Sequence, residues 1–231
     1  MKKALLIGIN YRGTSSELNG CINDVQNLKE LIVPNSTEVI VLTDDAADKP
    51  TKENILNGLN WLADCKPGDN LLLQYSGHGS YIADVNGDES DHRDEVICPI
   101  DYDSAGFISD DTLRSILSKI PADVNLFVVM DCCHSGTILD LKYLYTRDYL
   151  GRITLKTQNY QDLNANIISI SGCKDTQTSA DTFEPDVQTG KWEAQGALTY
   201  AITSTIKKYR DQSKLLTWRR LMLGVYDEIK A

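Results

Sequence analysis

The 231-residue chain has no apolar run approaching the roughly 18 residues that a membrane-spanning helix requires. Cysteine is sparse: six residues, none in C-x-x-C spacing, too few for a disulfide framework. Free thiols in a reducing compartment, and hence a cytoplasmic protein, are therefore expected. Basic residues are also in deficit, 23 Lys and Arg against 33 Asp and Glu, for a net charge of −10. That balance argues against a nucleic-acid binder, which would need a basic face. It suits a substrate or partner carrying positive charge. Internal repeats and low-complexity tracts are lacking as well. The opening "MKKALLIGIN" sets two lysines before an apolar run, but the run is short and no small-residue cleavage site follows it. It reads as a first β-strand.

What is present is an ordinary globular composition, 42% hydrophobic and 24% charged, in a chain long enough for one sizeable core. Apolar strand-like runs alternate with helical patterns. Strands are predicted at 3–10, 38–42, from 70, at 125–131 and at 165–172. Amphipathic helices are predicted at 22–32 and 52–65, with further helices at 196–210 and 217–230. This rhythm predicts an α/β fold in three layers, a mostly parallel sheet with helices on both faces. In such sheets, sites gather beyond the carboxyl ends of strands. Both "SGHG" (76–79) and "DCCHSG" (131–136) fall there, which brings His78 and a cysteine pair to one edge.

Two segments break the rhythm. Residues 84–111 hold Asp84, Asp88, Glu89, Asp91, Asp94, Glu95, Asp101, Asp103, Asp110 and Asp111 against a single arginine. Residues 142–164 are polar and aromatic, and are expected to form an exposed linker between a larger half (1–141) and a smaller one (165–231) of a single domain.

The cysteine pair suggests a nucleophile. A working thiol needs an imidazole nearby and backbone donors for an oxyanion. His78 lies between Gly77 and Gly79, where backbone and substrate can approach closely. Zinc is disfavoured, because adjacent Cys132, Cys133 and His134 lack the usual ligand spacing. A disulfide between neighbours would be strained. The residues alone do not choose between Cys132 and Cys133.

The blocks "YSGHG" and "DCCHSG" resemble those of the metacaspases, caspase-like cysteine peptidases. So do "GIN" (8–10), "LNGCIND" (18–24), "DEVICPIDY" (94–102), "SDD" (109–111), "ISGCKDTQTSAD" (170–181) and "GALTYA" (196–201). The resemblance runs through nearly the whole chain, in order. It implies a caspase-like fold with Cys133 as nucleophile, His78 as its partner, and Cys132 and His134 as bystanders. Backbone N–H groups of Gly79 and Cys133 would bind the oxyanion. Metacaspases cut after arginine or lysine, and by resemblance Asp24 and Asp131 would be the carboxylates of the acidic pocket, lined further by Cys21 and Ser76.

The resemblance also implies activating calcium, a hard cation that takes oxygen ligands. The matching positions are Asp94, Asp110, Asp111 and Asp140. "DVNGDESD" (84–91) is not an EF-hand, since Glu89 stands where that loop needs glycine. Read this way, the chain is a minimal catalytic domain without a proline-rich extension, and it is expected to be monomeric. Its partners would be protein and peptide substrates with Arg or Lys at the cut, with no nucleic acid or membrane. Lys142, Arg147, Arg152 and Lys156 are candidate self-cleavage sites. Two alternatives remain: a catalytically silent scaffold, and a related peptidase preferring asparagine or aspartate.

Overall fold

The computed structural model describes residues 1–83, 93–133, 137–147, 152–172, 181–185 and 192–230; side chains are not described for Arg147, 181–185, 192–195 and Lys230. In chain order the elements are β1 (Lys3–Gly8), α1 (Cys21–Ile32), β2 (Glu38–Thr43), α2 (Lys52–Ala63), β3 (Asn70–Ser76), β4 (Gly79–Ala83) and β5 (Arg93–Ile97). Next come α3 (Tyr102–Ala105), β6 (Ile108–Ser109), α4 (Asp110–Leu117), β7 (Asn125–Asp131), β8 (Tyr143–Arg147) and β9 (Ile153–Thr157). The last are β10 (Asn166–Ser171), β11 (Asp181–Pro185), β12 (Trp192–Gly196), α5 (Ala197–Asp211) and α6 (Trp218–Lys230).

Five strands form a sheet in the order β10-β7-β3-β1-β2, every neighbouring pair parallel. Parallel strands must be buried on both faces, and the side-chain alternation divides two cores between them. Leu5, Ile7, Leu71, Leu73, Leu126 and Val128 face Ile55, Leu59 and Leu62 of α2 and Leu113 and Leu117 of α4. Ala4, Leu6, Leu72 and Val129 face Val25 and Leu28 of α1, with Leu198 and Ile202 of α5 and Leu221 and Val225 of α6. Each such fully buried side chain contributes roughly 1.5–3 kcal/mol. The predicted three-layer α/β architecture is the one observed.

The order places β1 between β2 and β3, so the sheet's switch point lies at the β1–β3 boundary. Gly8, Ser76 and Asp131 end their strands side by side there: Gly8 pairs with Ser76, and Ser76 with Asp131.

The two interrupting segments contain regular structure. The described part of the acidic stretch adds β5 and β6 to β4 in a small antiparallel sheet, and then opens α4, capped where the Ser109 hydroxyl accepts from Thr112 N–H. "DVNGDESD" (84–91) lies outside the described residues. The 142–164 stretch, expected as an exposed linker, contains a two-stranded antiparallel hairpin, β8-β9. Register Tyr145↔Leu155 and Arg147↔Ile153 puts Tyr143, Tyr145, Ile153 and Leu155 on one face, all exposed.

Candidate active site

Three loops meet at the switch point. After β1, Asn10 anchors the loop 11–20: its backbone oxygen accepts from Leu18 N–H and its Oδ1 accepts from Cys21 N–H at 3.0 Å. That bond caps α1 from outside, since the N-cap residue is Gly20 and has no side chain to do so. The anchored loop carries the Ser16 carbonyl to 2.7 Å from His78 Nε2. A carbonyl oxygen only accepts, so Nε2–H is the donor in this contact. With Nε2 engaged in this way, Nδ1 is the nitrogen left to exchange a proton with a neighbour.

His78 is fixed from below by two buried tyrosines. Tyr11 Oη accepts from His78 N–H at 3.0 Å and donates to the Cys98 carbonyl at 2.6 Å. Tyr75 Oη donates to the His78 carbonyl at 2.7 Å, and the two hydroxyl oxygens lie 3.2 Å apart. The Tyr11 ring also packs on the imidazole, centroid to centroid 4.7 Å. Burial pushes both phenols well above their ordinary pKa, so they remain protonated.

The cysteine pair follows directly on β7. Alternation continues from Val128 and Met130, on the α2 side, to Cys132, which is 0% exposed and joins that core. Cys133, the next residue, is only partly buried. This distinguishes the two thiols where sequence alone did not: Cys132 is packed away and Cys133 is accessible. His134 lies outside the described residues. Gly79 sits against this turn, for a Cβ there would stand 2.0 Å from the Cys133 carbonyl oxygen and 3.3 Å from Cys132 Sγ. Only glycine lets the histidine and cysteine loops touch this closely. Cys98, beneath them, has its thiol pushed up to about 12, first by burial and then by the neighbouring Cys133.

Asp24 and Asp131 converge, although Asp24 leaves α1 and Asp131 ends β7. Both are buried, at 1% and 5% exposure, and both reach the start of α5. Asp24 Oδ1 accepts from Gly196 N–H at 2.9 Å; Asp131 Oδ2 accepts from the N–H and the hydroxyl of Thr199, both at 2.9 Å. Gly196 is the N-cap residue of α5 and lacks a side-chain cap. The two carboxylates therefore supply the missing acceptors, and the helix dipole offsets their charge. Ser76 is buried beside Asp131 and Cys21 beside Asp24 on the first turn of α1. The four predicted pocket residues are thus brought together.

Gln74 lies one alternate position below Ser76 on the same face. Its Nε2 is 3.4 Å from Ser76 Oγ, while its Oε1 is buried and accepts no hydrogen bond. An orphaned buried carbonyl costs about 1–3 kcal/mol.

Of the four predicted cation ligands, three cluster. Carboxylate oxygens of Asp94, Asp110 and Asp111 all lie within 4.8 Å of one another. Burial pushes the Asp110 carboxyl up to about 7, and the charges of Asp94 and Asp111 add to this against two backbone N–H bonds that oppose it. Such mutual repulsion is what a hard cation relieves, so these residues fit calcium. Asp140 is not in this cluster. It is buried with φ +48°, and its backbone carbonyl accepts from Arg114 of α4, the helix that Asp110 begins. The cluster is tied to the cysteine loop: Asp110 Oδ2 accepts from Glu95 N–H, and Glu95 Oε2 accepts from the Thr137 hydroxyl at 2.9 Å.

Sequence reasoning missed Tyr11, the Ser16 carbonyl, Gly196 and Thr199 as parts of this site. Tyr11 directly follows "GIN", and Gly196 opens "GALTYA", so each stood at the border of a quoted motif.

Known proteins resemble this chain in sequence and in fold. A solved structure, protein GSU0716 of Geobacter sulfurreducens, superposes with a TM-score of 0.68 at 25% identity, covering 97% of this chain and 88% of its own. Metacaspase-1 of Cryptococcus neoformans var. neoformans is 37% identical over 98% of this chain, and Metacaspase-2 of Arabidopsis thaliana is 39% identical over 90%. The chain spans 61% and 52% of the length of those two relatives. Residues 2–142, which hold both the histidine and the cysteine loops, match the family described as metacaspase, peptidase C14 domain, and the chain belongs to that family.

Proposed function

We propose that the chain is a cysteine endopeptidase that cleaves after arginine or lysine through Cys133 and His78 and is stimulated by calcium. The observation that carries this reading is the convergence of Asp24 and Asp131, buried together beside Ser76 at the strand ends that also present His78 and Cys133. A buried carboxylate pair favours a guanidinium or ammonium group, through charge-assisted hydrogen bonds, and repels an aspartate side chain.

In the proposed reaction Nδ1 of His78 takes the proton of the Cys133 thiol, and the resulting thiolate attacks the scissile carbonyl carbon. The oxyanion is received by the N–H groups of Gly79 and Cys133. His78, with Nε2–H held by Ser16, gives a proton from Nδ1 to the departing amine as the C–N bond breaks. Water then hydrolyses the thioester, returning the thiol and releasing the acid. Asp94, Asp110 and Asp111 would hold calcium, which supplies positive charge among three carboxylates. Thr137, four residues beyond Cys133, donates its hydroxyl to Glu95, whose N–H is held by Asp110, and so would couple this cluster to the segment after the nucleophile. The hairpin residues Lys142, Arg147, Arg152 and Lys156 are proposed self-cleavage sites, a reading that an intact mass after prolonged incubation with calcium overturns.

The test is cleavage of fluorogenic peptides ending in Arg, Lys, Asp or Asn, with calcium or chelator, by the parent chain, Cys133→Ala and Cys132→Ala. Calcium-dependent cutting after Arg or Lys, lost in Cys133→Ala and kept in Cys132→Ala, is expected. Cutting after Asp or Asn overturns the pocket assignment. No cutting at all, with calcium still bound, favours the scaffold reading.

A further inference from the structure

We infer that Tyr11 is a positioning residue for the catalytic histidine, fixing the backbone of His78 with its hydroxyl and the tilt of the imidazole with its ring. This rests on the reading of His78 as the proton-exchanging partner of Cys133.

Four independent observations meet on this side chain. Its hydroxyl accepts from His78 N–H at 3.0 Å, so it grips the residue itself and not a neighbour. The same hydroxyl donates to the Cys98 carbonyl at 2.6 Å, which anchors the grip to the end of β5, a different sheet. The ring stands 4.7 Å from the imidazole at 38°, leaving the histidine side chain little room to swing away from Ser16. Finally, Tyr11 has φ +51°, a left-handed conformation that a bulky aromatic residue seldom adopts. Its neighbour Arg12 is held by its backbone N–H donating to Asp44 Oδ2, and Asn10 by its N–H donating to Asp44 Oδ1 at 2.8 Å. Asp44 thus clamps the chain on both sides of the strained residue. Such a backbone persists only where its surroundings over-determine it, and such sites cluster around reacting groups.

Tyr75 is the natural comparison. It grips the His78 carbonyl but has no ring contact with the imidazole and sits in regular β3. If Tyr11 only fills the core, Tyr11→Phe should behave as Tyr75→Phe does. If it positions the imidazole, the two should differ in a signal from the ring itself.

The experiment uses the full chain labelled with ¹⁵N-histidine, of which it has only three residues. The Nε2–H of His78, held by the Ser16 carbonyl, is expected as an exchange-protected downfield proton, assigned by its loss in His78→Gln. In Tyr11→Phe, which keeps the ring, that signal should weaken and kcat on an Arg peptide should fall about tenfold at unchanged KM. In Tyr11→Leu the signal should vanish and kcat should fall about a hundredfold. Tyr75→Phe should retain the signal. Circular dichroism guards against misfolding, and rates are referred to folded protein. Wild-type signal and kcat in both Tyr11 variants overturn the proposal. Wild-type inactivity together with a Tyr11-dependent signal would sink the peptidase reading while leaving the positioning intact.

Discussion

Replacing Gln74 by leucine is expected to stabilise this protein. Gln74 is 0% exposed in the middle of β3, paired across the sheet with Leu6 and Val129. Among the described residues its oxygen accepts no hydrogen bond, and its nitrogen makes one long contact, 3.4 Å, to Ser76 Oγ. Relieving the orphaned carbonyl returns about 1–3 kcal/mol, and losing the long bond costs about 0.5–1.5 kcal/mol. Leucine is branched but similar in length, and its added apolar burial offsets most of any repacking strain. The net gain should be about 1–2 kcal/mol. For a chain of this size that raises Tm by roughly 2–8 °C. Urea denaturation followed by circular dichroism measures it directly, with the slope m unchanged between variants. Gln74→Glu, which puts a charge in the same apolar row near two other carboxylates, should lose stability instead. A leucine variant less stable than the parent by 1 kcal/mol or more would refute the reasoning. It would mean that the carboxamide has a buried partner, such as an ordered water.

Three further outcomes follow from the site. Gly196→Ala has an ordinary backbone for alanine, φ −66°, but its Cβ would stand 2.2 Å from Asp131 Oδ2; stability should fall by about 1–3 kcal/mol and KM for an Arg peptide should rise more than kcat falls. With its thiol pushed up to about 12, Cys98 should resist iodoacetamide in the folded chain at pH 9 and react on unfolding; peptide mapping that finds native Cys98 alkylated as fast as Cys133 would contradict the burial argument. Thr137→Val removes the bond to Glu95, and should lower the fold-stimulation reached at saturating calcium several-fold while calcium still binds, as measured by calorimetry. Unaltered stimulation would break the proposed link between the cluster and Thr137.

The framework of the fold was legible because the core strands are short, mostly apolar runs separated by helical patterns. β3 ends at Ser76 and β7 at Asp131, and both ends were readable as site positions. Helices predicted from periodicity at 22–32 and 52–65 are observed as Cys21–Ile32 and Lys52–Ala63. The hairpin was hidden by composition. Its alternation of Ile153, Leu155 with Thr154, Lys156 was present, but a polar segment without buried partners reads as a linker. Cys132 could have been assigned to the core by extending the alternation from Val128 and Met130. The double role of Asp24 and Asp131 could not, because the N–H groups they receive lie 172 and 68 residues away and are backbone atoms, which leave no trace in residue type.

The hairpin's place in the chain has a consequence for how a cut there would look. Among the described residues β8 and β9 pair only with each other, whereas the strand that follows, β10, lies beside β7 along its whole length. Downstream of it, α5 and α6 press Leu198, Ala201, Ile202, Leu221 and Val225 against the sheet, and Thr199 stays bonded to Asp131. A chain severed between Tyr143 and Thr157 would therefore not come apart. It would run as two bands under denaturing conditions and as one particle on a sizing column, its fragments bound to each other as tightly as a small domain is folded. Cleavage in the hairpin would loosen the ends flanking the cut while leaving every site-forming strand in register.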